Sequence, residues 1–297
     1  MNQFGYTHIA IASSTYYPKW YRGKLRSVKH TDKIRGDLAI EFCEKALSLG
    51  CKLVIVDGKS SKTFIKELFK MDKIQIFKRR SPKRSPARRL AIKTASKVLD
   101  VKVIVLTEPE KISLLNFLPQ ITRALFKNEA DIVVPKREDK LFKSTYPSYM
   151  HESEIEANKL YNEALRSQGL LSLKNEDLDM FFGPRIFINN KKVISLFMKR
   201  FIINPEKLMH FSEYLDPEEY SNTLFFSVVL ALKKKLRIKS ITIFFEYPKI
   251  QKENEEKMAN ELFIEKRKAQ RLGILLDLVY LIGFIKNESA SRIKPAY

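Results

Sequence analysis

The chain has 297 residues, 44% hydrophobic and 11% aromatic, so it can bury a full core and is not a disordered protein. Its 55 lysine and arginine residues against 34 aspartate and glutamate residues give a net charge of +21, which favours anionic partners such as nucleotides, nucleic acid or acidic lipid. The cysteines, Cys43 and Cys51, offer neither a disulfide framework nor the spacing of a metal-ligand pair, and a reducing cytoplasm fits them best.

The first half of the chain alternates strand and helix patterns. It predicts strands over residues 7–12, 52–56, 73–77, 101–106 and 131–135, and helices over residues 37–49, 62–70, 85–98 and 114–127. Such a βαβα series forms right-handed crossovers between parallel strands. The sequence therefore predicts an α/β fold with a doubly wound, mostly parallel, Rossmann-like sheet.

The second half alternates less regularly. We expect a loop over residues 146–151, a turn-rich segment over 178–189, a strand over 238–245, and helices over 152–165, 220–232, from residue 252 onward, and over 272–285. These parts are predicted to cap the carboxyl edge of the sheet and to supply a second binding surface.

No segment reaches the roughly 20 consecutive apolar residues of a membrane-spanning helix. The nearest, residues 272–285, contains Asp277, and we interpret it as a packed C-terminal helix, with a membrane-surface anchor as the alternative. The N-terminal segment lacks the charged and apolar regions of a signal peptide. The sequence thus predicts a cytoplasmic protein and leaves peripheral membrane contact open.

The segment SPARRLAIKTASKVLDVKVIVLTEPE, residues 85–110, places basic residues at a helix start. Ser85 is predicted to cap the helix, with Pro86 as its first residue. Arg88 and Arg89 then lie in the first turn, where guanidinium groups and free N–H groups together suit phosphate oxygens. The alternative is a solvated basic turn.

Two carboxylates, Glu108 and Glu110, follow the strand over residues 101–106. In open parallel sheets ligands bind beyond the carboxyl ends of the strands. Side chains two residues apart in an extended segment leave on the same side, so the pair could share one hard divalent cation. The alternative is that both glutamates lie near the N-terminus of the next helix and stabilise it.

The stretch KRRSPKRSPARR, residues 78–89, contains seven basic residues in twelve. Taken alone, this run is typical of a nucleic-acid-binding or nuclear-import patch. A nucleic-acid-binding protein is therefore one alternative function for the chain.

Several segments resemble, in order and spacing, the GT-A fold glycosyltransferases akin to the family 2 and dolichol-phosphate-mannose-synthase-like nucleotide-diphospho-sugar transferases. IAIASS resembles their first strand and loop, VIVDGKS their second strand, SPARRLAI the segment before the metal strand, and ADIVVPKRE the strand after it. VIVLTEPEK stands where the family carries Asp-x-Asp, so Glu-Pro-Glu replaces that motif. The resemblance covers residues 7–137, and more weakly 178–187.

The resemblance implies a GT-A type sheet with a C-terminal helical and strand cap. It divides the chain into a nucleotide-sugar-binding half (1–137), an acceptor-side half (138–250) and C-terminal helices (251–297). The implied activity, of the hexosyltransferase class, moves a sugar from a nucleotide-diphospho-sugar donor to an acceptor that the sequence does not identify; the positive charge favours an anionic one. A nucleotidyltransferase on a related fold is a further alternative, although ASSTYYP lacks its usual glycine-rich phosphate loop.

The resemblance also implies site residues. The donor is expected to contact Ala12, Ser13, Ser14, Asp57, Gly58, Arg88, Thr107 and Glu108. Arg88 is expected to stabilise the leaving diphosphate and Asp179 to act as the catalytic base. A divalent cation, Mn²⁺ or Mg²⁺, is expected on Glu108, Glu110 and His210.

Overall fold

The computed structural model describes residues 5–80, 84–200 and 221–286, and this part of the chain contains a seven-stranded sheet. The strands are β1 (Ile9–Thr15), β2 (Lys52–Asp57), β3 (Ile74–Lys78), β4 (Val103–Leu106), β5 (Ile132–Arg137), β6 (Arg185–Ile188) and β7 (Ile238–Ile243). Their order is β3-β2-β1-β4-β6-β5-β7, and β6 runs antiparallel to both β4 and β5 while the other pairs are parallel. The predicted mostly parallel α/β sheet is confirmed.

Helices cover both faces of the sheet. They are α1 (Thr31–Ser48), α2 (Lys62–Leu68), α3 (Arg84–Ala95), α4 (Leu118–Phe126), α5 (Asp139–Thr145), α6 (Ser148–Ser167), α7 (Lys191–Met198), α8 (Ser221–Leu224), α9 (Phe226–Lys233), α10 (Lys249–Met258) and α11 (Glu261–Lys286). Short 3-10 helices span Tyr6–His8 and Ile112–Phe117.

The two cores follow from the alternation of side chains along the strands. On β1, Ala10 and Ala12 face the core that contains α3, while Ile9 and Ile11 face the core that contains α1. Ala87, Ala91 and Ala95 of α3 join Ala10 and Ala12 in the first core. Because the side chains on both sides are small, this helix can lie close to the sheet and bring its first turn to the sheet's carboxyl edge.

Helix α1 begins at Thr31 and not at residue 37 as predicted. Trp20 packs onto Gly36, where an added Cβ would lie 2.2 Å from Trp20 Cδ1. Lys33 is buried and donates to Asp37 Oδ1 at 2.6 Å, and Trp20 Nε1 donates to the same oxygen at 2.9 Å. Because the buried Lys33 and Gly36 break the apolar periodicity, the sequence pattern did not indicate the first turns of this helix.

Other boundaries also differ from the prediction. Ser85 lies within helix α3 (Arg84–Ala95) and is therefore not its N-cap. Helix α6 begins at Ser148, inside the segment expected to be loop. Strand β6 lies within the predicted turn-rich segment. It follows Gly183 and Pro184 and begins with Arg185, so its sequence does not indicate an apolar strand, and it forms by pairing between β4 and β5. Helices α5 and α7 were not predicted.

The segment 272–285 belongs to α11, and Leu278 and Leu281 are buried in the first core, as expected of a packed C-terminal helix. Among the described residues, no helix combines the length and hydrophobicity needed to cross a bilayer.

Candidate active site

A cavity of about 830 Å³ opens at the carboxyl edge of the sheet. The sheet side contributes Thr15, Tyr16, Arg79, Glu108, Lys111 and Arg137. The opposite wall comes from α10 and α11, with Gln251, Glu255, Arg267, Arg271 and Asp277. Strand ends from the first half and helices from the end of the described chain therefore enclose one space, as the predicted cap requires.

Some of the predicted donor-binding residues line the cavity and others do not. Ser14, Arg88 and Glu108 line the cavity. The others, Ala12, Ser13, Asp57, Gly58 and Thr107, are not among the residues that line it. Ser13 Oγ donates to the carbonyl of Thr107, and the Thr107 N–H donates to the carbonyl of Ala12 at 3.3 Å, so these residues join β1 to β4.

Asp57, the last residue of β2, organises the loops behind the cavity. Its Oδ1 accepts from the Thr15 hydroxyl at 2.8 Å, and its Oδ2 accepts from the N–H groups of Lys59 and Ser60 at 2.9 and 3.0 Å. Both carboxylate oxygens are thus engaged by the protein. Asp57 fixes the turn after β2 against the end of β1, and a direct contact with a base or ribose stays a prediction.

Gly58 makes room for a cation. A Cβ at this position would lie 2.8 Å from Cζ of Arg79. The Arg79 guanidinium also lies over the ring of Tyr16, 5.4 Å from its centroid. Both Arg79 and Tyr16 line the cavity, so the glycine lets a guanidinium reach the nucleotide side of the predicted site.

Glu108 is surrounded by cations. Arg88 Nη2 donates to its Oε1 at 3.2 Å, and Lys111 Nζ lies 3.5 Å from its Oε2. Burial alone raises the pKa of Glu108, but Lys111 and Arg88 outweigh it and lower that pKa to about 2. Gly183, at φ +101°, lies against the same carboxylate, since a Cβ there would be 3.1 Å from Oε2. The side chain is therefore ionised and confined.

Glu110 belongs to a different ion pair. Its Oε1 accepts from the Tyr17 hydroxyl at 2.8 Å and from Arg35 Nε and Nη2 at 2.8 and 2.7 Å. Glu110 in turn raises the pKa of Arg35, while burial and then Glu110 raise the pKa of the Tyr17 hydroxyl. The carboxylate ties the loop after β1 and helix α1 to the end of β4.

These surroundings do not fit a shared metal ion. Within residues 5–80, 84–200 and 221–286, no group of three or more His, Cys, Asp or Glu side chains could hold one. Glu108 and Glu110 each face their own basic side chains, so a dication would have to displace or approach like charges. His210 lies outside the described residues. The predicted Mn²⁺ or Mg²⁺ site stays a prediction.

Asp179 forms a two-pronged pair with Arg137. Arg137 Nε donates to Oδ2 at 2.7 Å and Nη2 donates to Oδ1 at 2.8 Å, and both side chains are buried. Burial alone raises the pKa of Asp179, but the Arg137 charge and hydrogen bonds lower it. Asp179 is not among the residues that line the cavity, whereas Arg137 is. Its role as catalytic base stays a prediction, and this environment favours a positioning role.

A network that the sequence did not reveal holds the segment before β6. Asn158 Oδ1 accepts from the Met180 N–H at 2.8 Å, and Asn158 Nδ2 donates to Asp179 Oδ1 at 2.8 Å. Arg185, fully buried, donates to the carbonyls of Met180, Pro184 and Leu224 at 2.7, 2.8 and 2.8 Å. Burial lowers the pKa of Arg185 to about 10. These contacts place Phe181, Phe182 and Gly183 against the cavity.

The basic run over residues 78–89 is divided by the fold. Arg88 and Arg89 are buried, and Arg79 and Arg88 line the cavity. Lys78 and Arg80 are exposed, and residues 81–83 lie outside the described part of the chain. Three of the seven basic residues, Arg79, Arg88 and Arg89, are therefore buried or at the cavity, which favours a small anionic ligand for this part of the run.

Comparisons with known proteins give the fold. No protein-family model matches the chain, and no curated protein matches it significantly. Glucosyl-3-phosphoglycerate synthase from M. tuberculosis is similar in structure, with 10% identity and a TM-score of 0.50, over 93% of this chain and 80% of that chain. A mycobacterial protein is similar at 11% identity and TM-score 0.54, over 93% of this chain and 74% of that chain.

A third solved structure, 4-diphosphocytidyl-2C-methyl-D-erythritol synthase from Anaerococcus prevotii, is similar at 10% identity over 84% of this chain and 96% of that chain. The TM-score of this similarity is 0.45. The first two similarities, together with the strand order, confirm the fold: the chain has a GT-A type α/β architecture.

Proposed function

We propose that this protein is a glycosyltransferase of the hexosyltransferase class that uses a nucleotide-diphospho-sugar donor. The observation that carries the proposal is a cavity at the carboxyl edge of a GT-A type sheet, lined on its sheet side by Arg79, Arg88 and Lys111. Its volume of about 830 Å³ lies within the range of small-molecule sites, roughly 300–1,000 Å³. Cations at that edge suit a donor that carries a diphosphate.

In the proposed reaction an acceptor hydroxyl oxygen forms a bond to the anomeric carbon of the donor. The bond from that carbon to the β-phosphate oxygen breaks, the electron pair leaves with the nucleoside diphosphate, and the hydroxyl proton is released to water. Negative charge grows on the diphosphate as the bond breaks, so positioned cations accelerate the step. We assign this role to Arg88 and Lys111, which Glu108 holds in place.

The nucleotide is proposed to lie on the Tyr16 and Arg79 side, where an exposed ring and a guanidinium face the cavity. The acceptor is proposed to enter along α11, whose Arg267 and Arg271 line the opposite wall. Glu154 accepts from Arg137 at 2.7 Å and from Arg271 at 3.0 Å, which links that wall to β5. The same wall carries Glu255 and Asp277, so its charge is mixed, and the proposal of an anionic acceptor rests on the net charge of +21 of the whole chain.

The experiment is a thermal-shift panel of UDP-, GDP-, CDP- and dTDP-sugars on the wild type, with the matching nucleoside triphosphates and a single-stranded oligonucleotide as comparisons. We expect one donor to stabilise the fold, by about 2.7 kcal/mol at a hundredfold excess over Kd. Arg88→Gln should lose that stabilisation. Arg80→Gln, in the same basic run but exposed, should keep it.

Stabilisation by triphosphates alone would favour the nucleotidyltransferase alternative. Stabilisation by the oligonucleotide alone, falling steeply with salt, would favour nucleic-acid binding. A flat response to every nucleotide sugar would contradict the proposed function. The melting temperature of each ligand-free variant shows whether the substitution itself disturbs the fold.

A further inference from the structure

We infer that the site neutralises the diphosphate of its donor with protein cations, Arg88 and Lys111, in place of a divalent metal ion. This inference rests on the proposed function, because it names the means by which that same site binds its donor. It starts from the two glutamates that the sequence offered as metal ligands.

The carboxylates are already neutralised by the protein. Arg88 and Lys111 lie 3.2 and 3.5 Å from the two oxygens of Glu108, so this group of three side chains carries a net positive charge. Arg35 lies 2.7 Å from Glu110, which leaves that pair neutral. Two separate carboxylates, each bound to its own cations, do not provide the oxygen-rich, anionic setting in which hard dications bind.

Lys111 has donors to offer a phosphate. An ammonium group carries three N–H bonds, and the contact with Glu108 Oε2 at 3.5 Å is an ion pair longer than an ordinary hydrogen bond. Its Nζ also lies 5.3 Å from the centroid of the Phe182 ring, at the cavity. A diphosphate oxygen could therefore approach Lys111 more closely than the carboxylate does.

The geometry of the neighbours keeps these cations in place. Glu108 is confined on one side by Gly183, since a Cβ added at Gly183 would lie only 3.1 Å from Oε2 of Glu108. Arg88 is buried in the first turns of α3 and reaches the cavity across the end of β4. Glu108 thus acts as a positioning residue for two phosphate-binding groups, with one oxygen hydrogen-bonded by Arg88 and the other in a longer ion pair with Lys111.

The test is calorimetric titration of inorganic pyrophosphate into protein stripped of metal with EDTA, and again with excess Mn²⁺. We expect the dissociation constants to agree within about threefold, a difference of less than roughly 1 kcal/mol. Lys111→Gln should weaken binding by about tenfold or more, as expected for a lost charge-assisted hydrogen bond. Lys111→Arg should retain most of the affinity, and Lys140→Gln, an exposed lysine, should bind like the wild type.

Pyrophosphate binding that requires Mn²⁺, or that is unchanged in Lys111→Gln, would overturn the inference. The donor panel separates it from the proposed function. If pyrophosphate binds without metal but no nucleotide sugar stabilises the protein, the cation site stands and the transferase proposal fails. If nucleotide sugars, tested in the panel with EDTA and again with Mn²⁺, bind only with the metal, the transferase proposal stands and this inference fails. No binding of either probe under either condition would overturn both.

Discussion

The buried pair between Asp179 and Arg137 should be essential for the stability of the fold. Asp179→Asn keeps the shape of the side chain but removes its charge and replaces one acceptor oxygen with an NH₂ group facing the guanidinium. In the wild type Asp179 accepts from Arg137 at 2.7 and 2.8 Å and from Asn158 at 2.8 Å. Breaking a buried pair by removing one partner typically costs about 3–5 kcal/mol. Glu154 still pairs with Arg137, so we expect a loss of roughly 3 kcal/mol, at the lower end of that range.

Urea denaturation measures this loss, with the emission of Trp20, the only tryptophan, as the probe. The matched control is Asp177→Asn, two residues away. Asp177 pairs with Arg166 at 2.5 Å, but its side chain is 54% exposed. Exposed pairs contribute about 1 kcal/mol or less, so this variant should unfold close to the wild type.

The pH dependence gives a second check. The pKa of Asp179 is lowered in the folded protein. The stability that its ionised form contributes is therefore fully present above the unfolded pKa of about 3.9, and it is lost as pH falls through the lower pKa of the folded state. The difference between wild type and Asp179→Asn should therefore shrink below about pH 4. A variant within about 1 kcal/mol of the wild type at pH 7, with a much lower transfer rate, would show that the pair does not stabilise the fold and would support a catalytic base at Asp179 instead.

Three further predictions concern packing, backbone and thiol chemistry. Gly36→Ala would place a Cβ 2.2 Å from Trp20 Cδ1, so it should cost about 1–3 kcal/mol and change the Trp20 emission spectrum; an unchanged spectrum and melting temperature would contradict the packing. Gly183→Ala, at φ +101°, would place a Cβ 3.1 Å from Glu108 Oε2, so it should destabilise the fold by about 1–3 kcal/mol and weaken donor binding. Its control, Gly23→Ala, at φ +98° with open space around it, should lower stability without changing donor binding. Equal donor affinity in the two glycine variants would contradict the contact with Glu108. Burial raises the pKa of Cys43 and Cys51 to about 12, so a thiol reagent at pH 8 should label either residue only after unfolding, and rapid labelling of the native protein would be inconsistent with that burial.

Much of the sheet could be predicted because its strands are short, apolar and separated by periodic helices. Strands β1, β2, β4 and β5 all lie where β-branched runs occur in the sequence. Strand β6 could not be predicted, since Gly183, Pro184 and Arg185 give its segment the sequence of a turn and it becomes a strand only between two partners. The start of α1 could not be predicted either. Its first turns contain Lys33 and Gly36, which break the apolar periodicity, and both contact Trp20 only in the folded protein.

The candidate site, like the sheet, could be predicted from the sequence only in part. The topology rule located Glu108 at the carboxyl edge, and the basic first turn of the predicted helix pointed to Arg88; both side chains line the cavity. The partners of Glu110 could not be read from the sequence, because Tyr17 and Arg35 lie 93 and 75 positions away along the chain. Arg137 and Arg185 were missed for the same reason: an arginine in a strand becomes recognisable as a buried positioning group only when its acceptors are known.

The most direct test of the account is the structure of the protein bound, without added metal, to the nucleotide sugar that stabilises it most. We expect a diphosphate within hydrogen-bond distance of Arg88 and Lys111, with the nucleoside toward Tyr16 and Arg79 and the sugar facing α11. A diphosphate held elsewhere, or a metal ion bridging it to Glu108 and Glu110, would contradict the central claim that protein cations at this edge of the sheet bind the donor.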